Sequence, residues 1–203
     1  MRDLPRMLAV GALSTGAAAL LLYLLQPEAP PEAVLPVRDS VVAVAESRPP
    51  QDARLVIPVE GVSPDRLRDT FSEARGLGRR HDAIDIDAPR GTPVLSVGAS
   101  VVLKLFQSDR GGTTLYALAP DQRTIYYYAH LDRYAEGIRE GQQLEPGELI
   151  GYVGDTGNAN PGDYHLHFEI STTGNPRKYW GGSPVNPYPL LRTGRAIPHR
   201  TMK

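Results

Sequence analysis

His165-Leu166-His167-Phe168-Glu169-Ile170-Ser171 places polar and apolar side chains in strict alternation. Successive side chains of an extended chain point to opposite faces, so Leu166 turns into a core while His165, His167 and Glu169 share the other face. Six further stretches read the same way: AIDI (83–86), TPVLSV (92–97), SVVLKLF (100–106), TTLYALA (113–119), TIYYYAHL (124–131) and ELIGYV (148–153). Each carries β-branched or aromatic residues. Turn-forming segments separate them: PRGTP, SDRGG, APDQ, EGQQLEPGE and GDTGNANPGD. Many short strands with such punctuation predict a mainly β domain built on an antiparallel sheet, over residues 55–191. One helix is expected within the domain, ahead of the strands, over Ser63–Glu73, with Ser63 as N-cap and Pro64 at the first helical position.

The composition narrows the function. The chain has 203 residues and a net charge of -1, which offers no electrostatic footing for nucleic acid. Apolar residues make up 41%, enough for a sizeable core, and 20 Gly with 19 Pro suit a turn-rich fold. Without a single Cys, a metal site has only His and carboxylates to draw on.

Outside the domain, residues 7–25 contain neither charge nor Pro. As a helix they would span roughly 28 Å, the thickness of a bilayer core. Arg2 and Arg6 precede the run, and Glu28 and Glu32 follow it. That asymmetry predicts a single-pass membrane protein with its N-terminus in the cytoplasm and the domain on the extracytoplasmic, periplasmic side. Residues 1–25 read as an uncleaved anchor, with a cleaved signal peptide as the alternative. Residues 26–54 read as a Pro-rich, acidic linker in which the apolar run VVAVA (41–45) is a candidate to add a strand or pack on the domain, and residues 192–203 read as a basic tail holding Arg192, Arg195, Arg200 and Lys203.

Four of the five His fall in or beside the strand-like segments. His165 and His167 share a strand face. His81 and Asp85 are spaced i, i+4, which also gives one face in a strand or a helix. His130 follows three tyrosines at a strand end. Each feature alone is ordinary surface polarity. Two His and one Asp together make a three-ligand zinc set with an open position for water, and the two remaining imidazoles can act on that water or on the developing oxyanion. Glu169, on the face of His165 and His167, is a candidate to orient an imidazole, ahead of Asp87. Strand alternation turns part of the Tyr126–Tyr128 run into the core, and His199 falls in the tail outside every motif.

These residues resemble the lysostaphin-type metallopeptidases, the LytM domain family. The resemblance covers roughly residues 66–191. It rests on HDAIDIDAPRGTPV (81–94), YAHL (128–131), GYVGDTG (151–157), HLHFEI (165–170) and the closing KYWGGSPVNPYPLL (178–191). It implies one Zn2+ per domain, bound by His81, Asp85 and His167, with His130 and His165 as catalytic residues. It also implies a substrate groove on antiparallel sheet and peptidoglycan as the partner, its peptide stems or cross-links being hydrolysed. The alternative within the family is a regulator of another cell-wall hydrolase, and such members typically have damaged metal sites. Two departures stand out. Ala83 sits where many members carry Gly. Some members place a Tyr shortly before the first His to hold the oxyanion, whereas this chain has EARGLGRR (73–80) and no residue for that role.

Overall fold

The computed structural model describes residues 54–195, apart from Leu77 and Pro176. The expected membrane helix, most of the linker and His199 lie outside the described residues. Among the described residues no helix is long and apolar enough to cross a membrane.

Among the described residues eleven strands follow one another: β1 (Ala74–Arg75), β2 (Arg79–Arg80), β3 (Ile84–Asp87), β4 (Pro93–Leu95), β5 (Ser100–Ser108), β6 (Gly112–Leu118), β7 (Thr124–Tyr134), β8 (Gln143–Leu144), β9 (Leu149–Val153), β10 (His165–Thr172) and β11 (Ser183–Val185). A helix, α1 (Pro187–Thr193), closes the domain. All seven strands expected from alternation are present. β1 and β2 form a separate hairpin. The other nine make one sheet in the order β11-β10-β7-β6-β5-β8, with β3 on β10, β9 on β7 and β4 on β9. Every pairing in that sheet is antiparallel.

The alternation of β10 organises the interior. Leu166, Phe168 and Ile170 are each 0% exposed, and Tyr128, Ile84 and Leu115 pack into the same core. Burying side chains of this size contributes about 1.5–3 kcal/mol each. The opposite face of β10 carries His165, His167 and Glu169. The tyrosine run divides as alternation requires: Tyr126 and Tyr128 are buried, and Tyr127 faces the other way, opposite Glu169.

The helix expected over Ser63–Glu73 is absent. Only Pro64–Arg66 form a single 3-10 turn, and Leu67 is already extended. The reason lies at Thr70. Its carbonyl accepts from the His81 ring, and its hydroxyl accepts from the Asp85 backbone N–H. A helix through Thr70 would have taken that carbonyl for its own ladder.

Arg192 and Thr193, read as the start of the tail, complete the last turn of α1. Asn186 caps the start of that helix by accepting from the Tyr188 N–H, and Gly194 ends it in a left-handed conformation.

Candidate active site

Three strands meet at the site. β10 lies between β3 and β7, and the register sets His167 opposite Asp85 on one side and opposite Ala129 on the other. His81 precedes β3. A continuous strand would separate side chains at i and i+4 by about 13 Å, too far to share one ion. The chain instead turns at Asp82, whose φ is 57°. His81 Nε2 thereby comes within 3.0 Å of Asp85 Oδ1. The shared face of His81 and Asp85 thus comes from a left-handed turn and not from strand periodicity. Ala83, next to the turn, is fully buried without a positive φ, so the extra methyl fits the core.

His167 Nδ1 completes the set. It lies 3.0 Å from His81 Nε2 and 3.2 Å from Asp85 Oδ1. These three donor atoms are the group among the described residues able to hold a metal ion. Their chemistry fits one. The Nδ1–H of His81 donates to the Thr70 carbonyl at 3.0 Å, so Nε2 presents a lone pair. Burial alone would raise the pKa of Asp85, but the His167 and His81 rings beside it hold it well below the usual carboxylate range. Lone pairs of an imidazole and a carboxylate facing one another at 3 Å call for a cation between them. Tetrahedral zinc with bonds of 2.0–2.2 Å keeps its ligand atoms about 3.4 Å apart, close to the spacing seen.

Two more imidazoles adjoin the set. His165 donates its Nδ1–H to the Asp163 carbonyl at 2.8 Å, and its Nε2 lies 3.8 Å from Asp85 Oδ1. His130 donates its Nδ1–H to the Thr156 carbonyl at 2.7 Å. The two rings are 5.0 Å apart, and His130 is 5.6 Å from the His167 ring. Burial pushes the His130 pKa down to about 4, against the bond to Thr156, so the ring is neutral at pH 7. His130 therefore presents an unprotonated Nε2.

His130 lies within β7, four residues before its end, and not at a strand end. Tyr127 and Ala129 both line the cleft. Strict alternation would turn His130 into the core. The pairing of β6 with β7 slips between Thr113 and Leu115, and His130 takes φ 60° there. This bulge redirects the imidazole into the cleft, at a cost of about 1–3 kcal/mol in backbone strain.

The Thr156 loop holds that geometry. Thr156 Oγ1 donates to the Leu131 carbonyl and accepts from the Thr113 N–H. Gly157 packs against Gly112 so closely that a Cβ on Gly157 would meet the Gly112 nitrogen at 2.3 Å. Gly157→Ala is therefore expected to destabilise the domain by about 2–4 kcal/mol in chemical denaturation. Gly147→Ala, at a similar φ but in open space, should cost only about 1 kcal/mol.

The β1–β2 hairpin supplies what the sequence did not disclose. Arg75 Nη2 donates to Asp85 Oδ2 at 2.5 Å, while Oδ1 faces the two ligand imidazoles. The guanidinium thereby fixes which carboxylate oxygen points at the site. Arg75→Ala is expected to lower affinity for a divalent metal about 10–100-fold, with partial recovery in Arg75→Lys, read by competition with a chromophoric chelator.

Glu169 lines the cleft with the imidazoles. Burial raises its pKa, Ser171 bonds it, and no hydrogen bond joins it to a His among the described residues. Backbone carbonyls orient the rings of His81, His130 and His165 instead. Asp87 pairs with Arg68 at the surface. The cleft around the site has a volume of about 520 Å³.

Comparison with known proteins agrees with this architecture. The family model described as Peptidase family M23 matches residues 79–187. The L-Ala–D-Glu endopeptidase of Bacillus subtilis is 36% identical over 143 residues, covering 67% of this chain and 42% of that protein. The peptidoglycan DD-endopeptidase ShyC of Vibrio cholerae is 32% identical over 105 residues, covering 50% of this chain and 23% of that protein. The chain thus spans less than half the length of these relatives. Among solved structures, LytU superposes with a TM-score of 0.52 at 26% identity, covering 65% of this chain and 92% of that one.

Proposed function

The chain belongs to peptidase family M23, and from that premise we propose that it is a zinc-dependent endopeptidase hydrolysing the peptides of bacterial peptidoglycan. The observation that carries this reading is the convergence of His81 Nε2, Asp85 Oδ1 and His167 Nδ1 within 3.2 Å of one another, beside the imidazoles of His130 and His165. His81, Asp85 and His167 would hold the zinc, which supplies a Lewis acid and lowers the pKa of a water to about 7. The chain's own residues do the rest. His165 and His130, each with its Nδ1–H tied to a carbonyl, offer Nε2 as acceptor for the proton of the attacking water. The same pair returns a proton to the leaving amine and donates to the developing oxyanion. Arg75 keeps the Asp85 carboxylate in a single orientation while this happens.

The proposed setting is the outer face of the cytoplasmic membrane. The uncharged run at residues 7–25, with Arg before it and Glu after it, supports an anchor there. The linker of about 28 residues would reach roughly 30 Å as a flexible chain. Fusion of a topology reporter to the C-terminus tests this placement.

Digestion of purified peptidoglycan tests the activity. Peptide products are expected by mass analysis from the metal-loaded protein, none after chelation, and their return when zinc is restored. Unchanged hydrolysis in chelator would overturn the metal mechanism. Protein that binds no zinc yet stimulates a separate wall amidase would establish the regulator reading in its place.

A further inference from the structure

The ion pairs around the cleft leave charges over on both signs. Its lining includes five acids. Asp85 is paired with Arg75, and Asp87 with Arg68. Glu73 lies 3.9 Å from Arg75. Asp163 has no arginine partner among the described residues, and Glu169 has its pKa raised by burial. The lining also holds five arginines. Two are consumed by those pairs. Arg79, Arg80 and Arg110 are exposed and make no ion pair among the described residues. Arg80 donates only to the Ser72 hydroxyl.

Their placement follows from the topology. Arg79 and Arg80 are on β2, which runs on through His81 toward β3, and the bond from the His81 N–H to the Glu73 carbonyl closes the base of the hairpin. Arg110 is in the β5–β6 turn, tied to β7 by the bond from the His130 N–H to the Gly111 carbonyl. β3 and β7 flank β10 on opposite sides at the metal-ligand set. Cationic side chains thus stand on both walls, with the site on the floor between them.

We infer that the cleft selects anionic peptides, with Arg79 and Arg80 on one wall and Arg110 on the other binding free carboxylates on either side of the scissile bond. A guanidinium matches a carboxylate with two parallel N–H donors, and a narrow cleft screens such a pair less than open surface does. A glycine bridge has no side-chain carboxylate to offer, so it is the poorer ligand. The inference names the substrate chemistry of the proposed peptidase site and rests on that reading of the cleft.

The test uses the full chain and peptides of one sequence, with carboxylates either free or converted to carboxamides, and a neutral oligoglycine for comparison. Binding is read by fluorescence anisotropy in the presence of chelator, and cleavage is read separately on the zinc-loaded protein. The carboxylate peptide is expected to bind about 10-fold more tightly than its amide, with the advantage shrinking as salt rises. An Arg79→Gln/Arg110→Gln double variant should lose most of that advantage, chiefly in KM, while its cleavage of the amide peptide stays unchanged. Equal binding of the two forms, or an advantage that survives the double substitution, would overturn the inference. Preferential binding without any zinc-dependent cleavage would support the carboxylate site and count against the peptidase reading.

Discussion

His167→Ala is expected to leave the protein without bound zinc and to reduce peptidoglycan hydrolysis by on the order of 10⁴-fold or more. His167 Nδ1 is the donor that links the other two, at 3.0 Å from His81 and 3.2 Å from Asp85. Its loss leaves an imidazole and a carboxylate, too few to retain the ion against water. Several kcal/mol of Lewis-acid and nucleophile activation go with it, and each 1.36 kcal/mol is tenfold in rate. The check is metal content by atomic absorption beside the rate of product release. Chelated wild-type protein should show the same loss and recover with added zinc, whereas the variant should not recover. A His167→Ala protein that keeps one zinc and near wild-type activity would refute the ligand assignment.

The second large effect separates the ligands from the imidazoles beside them. His165→Ala and His130→Asn should each retain one zinc per chain and lose about 10²–10⁴-fold in kcat. Asn is the suitable replacement at position 130 because it tolerates the left-handed backbone that His130 adopts at φ 60°. That variant should therefore keep its fold, read as an unchanged far-UV spectrum and a melting temperature within a few degrees. If the two rings work on one proton, the double variant should be little worse than the worse single one. Full activity in His165→Ala would remove that residue from the mechanism, and additive losses would mean two separate tasks.

The paths by which these residues became visible differ. The strands of the sheet were legible because alternation is a local property. Leu166, Phe168 and Ile170 against His165, His167 and Glu169 can be read from one short segment, and the structure buries the first set completely. The Ser63–Glu73 helix failed for the opposite reason. Its cap and Pro signals are local and real, and they produce the turn at Pro64–Arg66. Thr70 then serves His81 and Asp85, partners that no local signal reveals. Glu169 lies on the expected face, and sharing a face does not by itself bring its carboxylate within bonding distance of a ring.

By itself the sequence determined that this is an antiparallel β domain, and that its polar faces carry imidazoles and a carboxylate in family-specific motifs. Periodicity reports the face on which a side chain lies. It does not report distance between strands. The tertiary structure alone decided that residues 86 positions apart, His81 and His167, meet at 3.0 Å. It alone decided that a left-handed turn at Asp82 folds His81 back on Asp85, and that a bulge turns His130 out of the core. Only the packing of a short hairpin could place Arg75 on the free oxygen of Asp85 and leave Arg79 and Arg80 unpaired above it. The physical reason is common to all of these. Register and backbone bends are settled by contacts made across the whole chain, and no window of neighbouring residues contains them.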